Sequence, residues 1–315
     1  MQTITFLHHL EHERRLSPHT LVAYRKDLKQ FAEYQLKVYG IRSAGEVKRV
    51  QIRAWLVALL EDGLTPTSIR RKLASIKAFY RWRQERGLQE KNPSLRIPTP
   101  KLPKRLPTVV PASDLKRLID RMAEQGDEFW AVRDYLMLSL LYETGMRRSE
   151  LIDLRKSNIQ LTTRQLRVLG KGNKERIIPF GKGLAERIEH YLMVREATFG
   201  NDDFDQLLLT DKGQPLYPKL VYNKVKAYLG AVSTQEKRSP HTLRHSFGTH
   251  LLENGADLNA VKALLGHANL AATQIYTHNQ IERLQSVYQQ AHPAAEKSRL
   301  SSKNTPEPDL SAKER

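Results

Sequence analysis

Six prolines between Asn92 and Pro111 (Pro93, Pro98, Pro100, Pro103, Pro107 and Pro111) constrain this chain more than any other feature. Proline has no backbone N–H and a fixed φ, so no helix interior or central strand survives that density. The stretch reads as an extended spacer with foldable sequence on both sides. The 315 residues divide accordingly into two domains, in keeping with ~150 residues each. We place a helical domain at 1–90, the linker at 91–107, a second domain at 108–292 and a polar tail, expected to be disordered, at 293–315.

Ahead of the linker the pattern is helical throughout. Ser17 followed by Pro18 reads as a cap and first turn, and Leu21, Tyr24, Leu28 and Phe31 then recur at helical spacing. A second stripe runs through Val47, Val50, Trp55, Leu56 and Leu59 to Gly63. A third follows Thr65-Pro66 as Ile69, Leu73, Ile76, Phe79 and Tyr80, stopping at Gly87. Beyond the linker, helices are expected over 114–122, 129–143, 184–199, 219–229, 241–254, 258–265 and 281–290. One hairpin interrupts them: Gln165–Leu169, a turn at Gly170-Lys171-Gly172-Asn173, then Lys174–Phe180. The fold class is mainly α, an all-helical N-terminal domain followed by a mixed α/β domain that is mostly helix with a small antiparallel sheet.

Charge points to the partner. Lys and Arg number 52 against 34 Asp and Glu, a formal net charge of +18. Residues 1–90 hold 17 basic and 9 acidic side chains, and 91–107 hold five basic and none acidic. Such a concentration favours a polyanion, because neutralising phosphates releases counterions. On the third helix Arg70, Arg71, Lys72, Lys77 and Arg81 are expected to face away from the apolar stripe, with no acid between Asp62 and Glu85. We read that face, with Arg25 on the helix that follows Ser17-Pro18, as the candidate DNA-binding surface; a plain solvated face is the alternative. The absence of cysteine removes disulfides, thiolate nucleophiles and Cys-ligated zinc. No apolar run approaches the ~20 residues of a membrane span. The N-terminal MQTITFLHHLEHERR lacks a signal-peptide core, so a cytoplasmic protein is expected.

Four patterns carry chemistry. In TGMRRSEL, Arg147 falls at a sharp junction between two helices; its fork suits two phosphate oxygens, though by itself the motif favours an ion pair with Glu150. Lys171 sits at the hairpin tip between two glycines. In SPHTLRH, Ser239 and Pro240 open a helix, so His241 and Arg244 share a face of its first turn, a favourable place for an anion and a proton carrier. In LLGH and TQIYTH, His267 follows a glycine cap and Tyr276 offers a phenol. Singly each has an ordinary structural reading. Together they suffice to exchange one phosphodiester for another without a metal or cofactor.

The segments TGMRRSEL, GKGNKERIIPF, SPHTLRHSFGTHLLENGADL, ALLGH and TQIYTH resemble, in order and spacing, the tyrosine recombinase family, specifically its bacterial Xer subgroup. The resemblance runs from Ser17 through Pro293. It implies an N-terminal SAM-like core-binding domain and a catalytic domain. Arg147 and Arg244 would clamp the scissile phosphate, Tyr276 would attack phosphorus, Lys171 would protonate the leaving 5′-oxygen, His241 would assist proton transfer and His267 would bond a non-bridging oxygen. The implied partners are a double-stranded DNA recombination site, three further subunits of the same or a paralogous kind synapsing two duplexes, and a septal DNA translocase. The implied role is resolution of chromosome dimers at cell division in the nucleoid, with no membrane insertion. Arg148 beside Arg147 departs from the usual pattern, and an arm-binding domain of the phage type is not expected ahead of the helical one. The helix at 281–290 resembles the one that family members pass to a neighbouring subunit.

Rival readings are an integrase of a mobile element, a type IB topoisomerase, a non-catalytic DNA-binding module built on a helix-turn-helix at Leu243–Leu265, and a metal-dependent hydrolase. The last would use His241, His245 and the acids Asp202, Asp203 and Asp205, but lacks an HExxH glutamate.

Overall fold

The computed structural model describes residues 2–100, 108–170, 175–200, 202–233, 238–266 and 278–293, the side chains of 278–282 excepted. Residues 1–105 form one compact unit and 106–315 another. Linker residues 101–107, the hairpin tip and the tail from 294 lie outside the described residues.

Among its described residues the first unit holds four α-helices: α1 (Thr3–His12), α2 (Pro18–Tyr39), α3 (Arg49–Glu61) and α4 (Pro66–Glu85). Two of them start by the same local device. Ser17 Oγ accepts the Thr20 N–H at 3.4 Å and Thr65 Oγ1 accepts that of Ser68 at 3.3 Å, each with proline at the first helical position. All five apolar residues expected on α4 are buried. Phe31 meets Trp55 edge-on at 5.0 Å between ring centres, and Phe79 meets Phe6 at 5.4 Å. α1 was not expected: of its four apolar residues Ile4 is exposed, and only Phe6, Leu7 and Leu10, set among histidines, are buried. Val50 is 67% exposed, because the inward face of α3 runs through Ile52 and Trp55 instead. Ile97, inside the proline-dense stretch, is buried in this core, so that stretch is partly core and not only spacer.

The basic face of α4 also differs from expectation. Lys72 does not face away: it is buried and donates to Asp27 Oδ1 at 3.1 Å. Asp27, itself fully buried on α2, also accepts from Ser75 Oγ at 2.8 Å and from both terminal nitrogens of Arg71, with Nη2 to Oδ1 at 2.9 Å. A buried carboxylate must be paired and hydrogen-bonded, and α4 supplies the cations. Lys77 is half-buried and donates to the Ile97 carbonyl at 2.8 Å. Arg25, Arg70 and Arg81 are exposed.

The second unit comprises α5 (Ala112–Ala123), α6 (Phe129–Thr144), α7 (Arg148–Ile152), β1 (Ile159–Gln160), β2 (Gln165–Leu169), β3 (Glu175–Pro179), α8 (Lys182–Phe199), α9 (Pro218–Val232), α10 (Pro240–Glu253), α11 (Leu258–Leu265) and α12 (His278–Ala291). α6 is apolar nearly all round and is therefore the central element, packed between α8 and α10. The sheet is antiparallel in the order β1-β2-β3, with Leu166 opposite Ile178 and Val168 opposite Arg176. Strand alternation turns Arg176 and Ile178 to the same buried side. α12 lies against β3, α10 and α11 and buries Leu284, Tyr288 and Ala291 there. Among the described residues no helix is long and apolar enough to cross a membrane.

Candidate active site

α6 ends at Gly145, whose φ of 60° is left-handed. Only glycine fits: a Cβ there would lie 2.4 Å from Cδ1 of Phe247 on α10. The turn delivers Arg147 as the residue capping α7. Glu150, one turn on, accepts the Arg147 backbone N–H and its Nη1, both at 2.7 Å. The ion pair weighed from the sequence is therefore present, and the Arg147 side chain remains 30% exposed. Its other terminal nitrogen donates to the Gly266 carbonyl at 3.2 Å.

Ser239 and Pro240 open α10 as expected, although the Ser239 hydroxyl meets Thr242 Oγ1 at 3.3 Å and takes no backbone N–H. One turn in, Arg244 reaches back across the unit. It donates Nη1 to the Gly145 carbonyl and Nη2 to that of Leu265. Arg147 and Arg244, 97 positions apart in the chain, thus meet where α6 ends and α11 ends. His241 is exposed on the same helix. Burial first, then the charges of Arg244, Arg148, Arg147 and His245, hold its pKa below the usual imidazole value, so it is neutral and able to accept a proton at pH 7. Arg148 is half-buried and donates to the Pro218 carbonyl at 3.4 Å.

Beneath the two arginines lies a third, which the motif reading passed over. Arg176 is 4% exposed and donates Nη1 and Nη2 to the two oxygens of Glu150, each at 2.8 Å. Burial alone would raise the Glu150 carboxyl, but Arg176, and then Arg147, outweigh it and bring its pKa down to about 2. Arg244 moves the other way: burial, then the facing Arg147 and Arg176, lowers its pKa to about 10. Three guanidiniums against one carboxylate leave a local excess of two positive charges, which suits an anion with two exposed oxygens. The signal that could have found Arg176 was in the strand pattern, where it holds the alternation position of Ile178.

Lys171, His267 and Tyr276 lie outside the described residues. The residues weighed for a metal are otherwise engaged or apart: Asp202 accepts Nε of Arg195 at 2.7 Å, Asp205 accepts from Ser157 at 3.1 Å, and His245 is exposed on α10.

Residues 4–87 match the phage integrase N-terminal SAM-like domain and residues 108–283 the phage integrase family. Tyrosine recombinase XerD of Halalkalibacterium halodurans is 42% identical over 92% of this chain and 97% of its own. Tyrosine recombinase XerC of Pelobacter propionicus is 40% identical over 98% of both. XerC of Chlorobaculum parvum is 39% identical over 92% of this chain and 94% of its own. The fold is that of the XerH site-specific recombinase in its post-cleavage complex with palindromic difH substrate, at a TM-score of 0.67 and 23% identity over 87% of this chain and 80% of that one. It is likewise that of the Tn1549 transposon integrase in complex with transposon right end DNA, at 0.67 and 20% identity over 89% of this chain and 97% of that one. With both family domains matched in sequence and the motif arginines Arg147 and Arg244 meeting at the end of α11, the chain belongs to the phage integrase family and is a tyrosine recombinase.

Proposed function

We propose that this protein recombines DNA at a specific site by breaking and rejoining strands through a 3′-phosphotyrosyl link at Tyr276. Arg147 and Arg244 hold the non-bridging oxygens of the scissile phosphate and offset the charge that builds in the pentacovalent transition state. The Tyr276 oxygen attacks phosphorus as the bond to the 5′-oxygen breaks. A phenol of pKa ~10 is almost wholly protonated at pH 7, so its proton must leave as it attacks. His241, neutral beside the arginines, takes that proton; Lys171 gives one to the departing 5′-oxygen; His267 bonds a phosphate oxygen. The ester keeps the energy of the broken bond, and attack by a partner strand's 5′-hydroxyl reverses the step without ATP or a cofactor. The observation that carries this reading is the meeting of Arg147 and Arg244 at the end of α11.

Arg25, Arg70 and Arg81, exposed on α2 and α4, with the outer side of Arg71, are the cations we assign to the DNA backbone; Lys72 and Lys77, engaged within the unit, leave that set. Four subunits, of this chain alone or with a paralogue, would synapse two duplexes. Resolution of chromosome dimers, activation by a septal DNA translocase and a place on the nucleoid in the cytoplasm complete the proposal.

The test is a nicked duplex carrying the site that the wild-type protein selects from a random-sequence library. The wild type is expected to give a denaturation-resistant protein–DNA adduct whose linked peptide contains Tyr276, and Tyr276→Phe none. An adduct that persists in Tyr276→Phe, or maps to another side chain, overturns the assignment.

A further inference from the structure

Three successive backbone carbonyls at the end of α11 are each taken by a different arginine. Arg176 Nε donates to Leu264 O at 2.9 Å, Arg244 to Leu265 O and Arg147 to Gly266 O at 3.2 Å. Such carbonyls have no partner within their own helix and form the negative end of its dipole, so cations are drawn there. Arg147 and Arg244 belong to the proposed phosphate clamp. Arg176, 4% exposed, reaches no external ligand.

Its position is nonetheless specific. The fork closes on both oxygens of Glu150, the same carboxylate that orients Arg147, while Nε fixes the carbonyl two residues before Gly266. The side-chain stem runs directly under Gly266: a Cβ there would sit 3.0 Å from Arg176 Cδ, and the φ of 63° is left-handed as well. One side chain therefore ties together the start of α7, the end of α11 and strand β3, which leads out of the Lys171 hairpin. Gly266 leads straight into His267. A lysine would keep the charge but could not reach both Glu150 oxygens and the Leu264 carbonyl at once, because an ammonium lacks the planar fork.

We propose that Arg176 is a positioning residue for strand cleavage, which sets Arg147 through Glu150 and fixes the end of α11 from which the chain runs on to His267. This inference rests on the function proposed above. It makes a demand that simple structural support does not: cleavage by the bound enzyme should slow while binding and folding are kept.

The experiment uses the full-length protein and the nicked duplex described above, at saturating protein. Measured together are the single-turnover rate of adduct formation, the Kd by fluorescence anisotropy and the thermal midpoint. Arg176→Lys is expected to slow adduct formation about 10- to 100-fold, the range for small misplacements of a catalytic group, with Kd within twofold of wild type. Should the lysine variant fold poorly, the paired change Arg176→Gln with Glu150→Gln leaves no buried unpaired charge and is expected to show the same drop in rate. A rate within twofold of wild type overturns the inference. So does a rate that falls only in step with Kd and the thermal midpoint, since that marks a structural role. Wild type and Tyr276→Phe run alongside: no adduct from wild type removes the parent reading and this one with it, whereas a wild-type adduct undiminished in Arg176→Lys removes this one alone.

Discussion

Asp27 in the helical unit and Glu150 in the second are both buried carboxylates met by cations, and the two clusters use the same chemistry to different ends. In the helical unit Asp27 is fully buried and bonded to Arg71, Lys72 and Ser75, all on α4. Its cations come from one helix, so the cluster locks α2 to α4. In the second unit Glu150 is held by Arg147 from the α6–α7 junction and Arg176 from β3, with Arg244 of α10 one carbonyl away. Here the cations come from three elements and outnumber the carboxylate by two. Arg147 keeps part of its side chain in the open, whereas Lys72 keeps almost none. A carboxylate met by the cations of a single helix ties two helices together; one that orients an excess of arginines from three elements prepares a site for an anion.

That contrast can be broken at several points. The largest effect on stability is expected from Asp27→Ala, which strands Lys72 in the core and should cost about 3–5 kcal/mol, read from urea or thermal unfolding. If the fold tolerates Asp27→Ala without loss, the cluster is not a lock.

Acid probes the other cluster. The Glu150 carboxyl titrates at about 2 when folded against 4.5 unperturbed, so its stabilisation is complete above pH 4.5 and is lost as pH falls towards 2. At 1.36 kcal/mol per pH unit this amounts to about 3 kcal/mol, and Glu150→Gln should flatten the unfolding midpoint over that window. An unchanged pH slope in Glu150→Gln would place the acid sensitivity elsewhere.

The smallest effects belong to the exposed cations of the helical unit. Replacing Arg70 or Arg81 by alanine should lower the slope of log K against log salt by about 1 for each phosphate left without its cation, with unfolding unchanged. A salt slope equal to wild type in both variants would remove them from the DNA-binding face.

Much of the fold was legible because its signals are local. Ser17-Pro18 and Thr65-Pro66 cap the helices they announced, and the hairpin pairs Leu166 with Ile178 on its buried side. α11 has the bounds its apolar spacing gave, Leu258–Leu265. α1 was missed because so short an apolar set has meaning only against Phe79 and Trp82, whose rings lie 5.4 Å from that of Phe6. Val50 misled because an apolar residue in the first turn of a helix carries no mark of which face turns inward.

The site was legible in its motifs and obscure in its pairings. TGMRRSEL and SPHTLRH each exposed an arginine, and Glu150 was visible as the partner of Arg147 three residues away. Its second partner was not, since Arg176 lies 26 residues further on and looks in sequence like one more surface charge. Lys72 failed for the mirror-image reason: its acid, Asp27, is 45 residues upstream on another helix.

Where most helices start and stop, where the chain bends, and which arginines, histidines and tyrosine stand in motif order follow from the amino-acid order alone. Caps, proline turns and 3.6- or 2-residue periodicity act over a few neighbours, so neighbours suffice to read them. Which cation neutralises which buried acid, and which is left to meet a phosphate, depended on helices and strands distant in the chain being packed against one another. Charge pairing is a meeting of surfaces, and those surfaces exist only once the chain has folded.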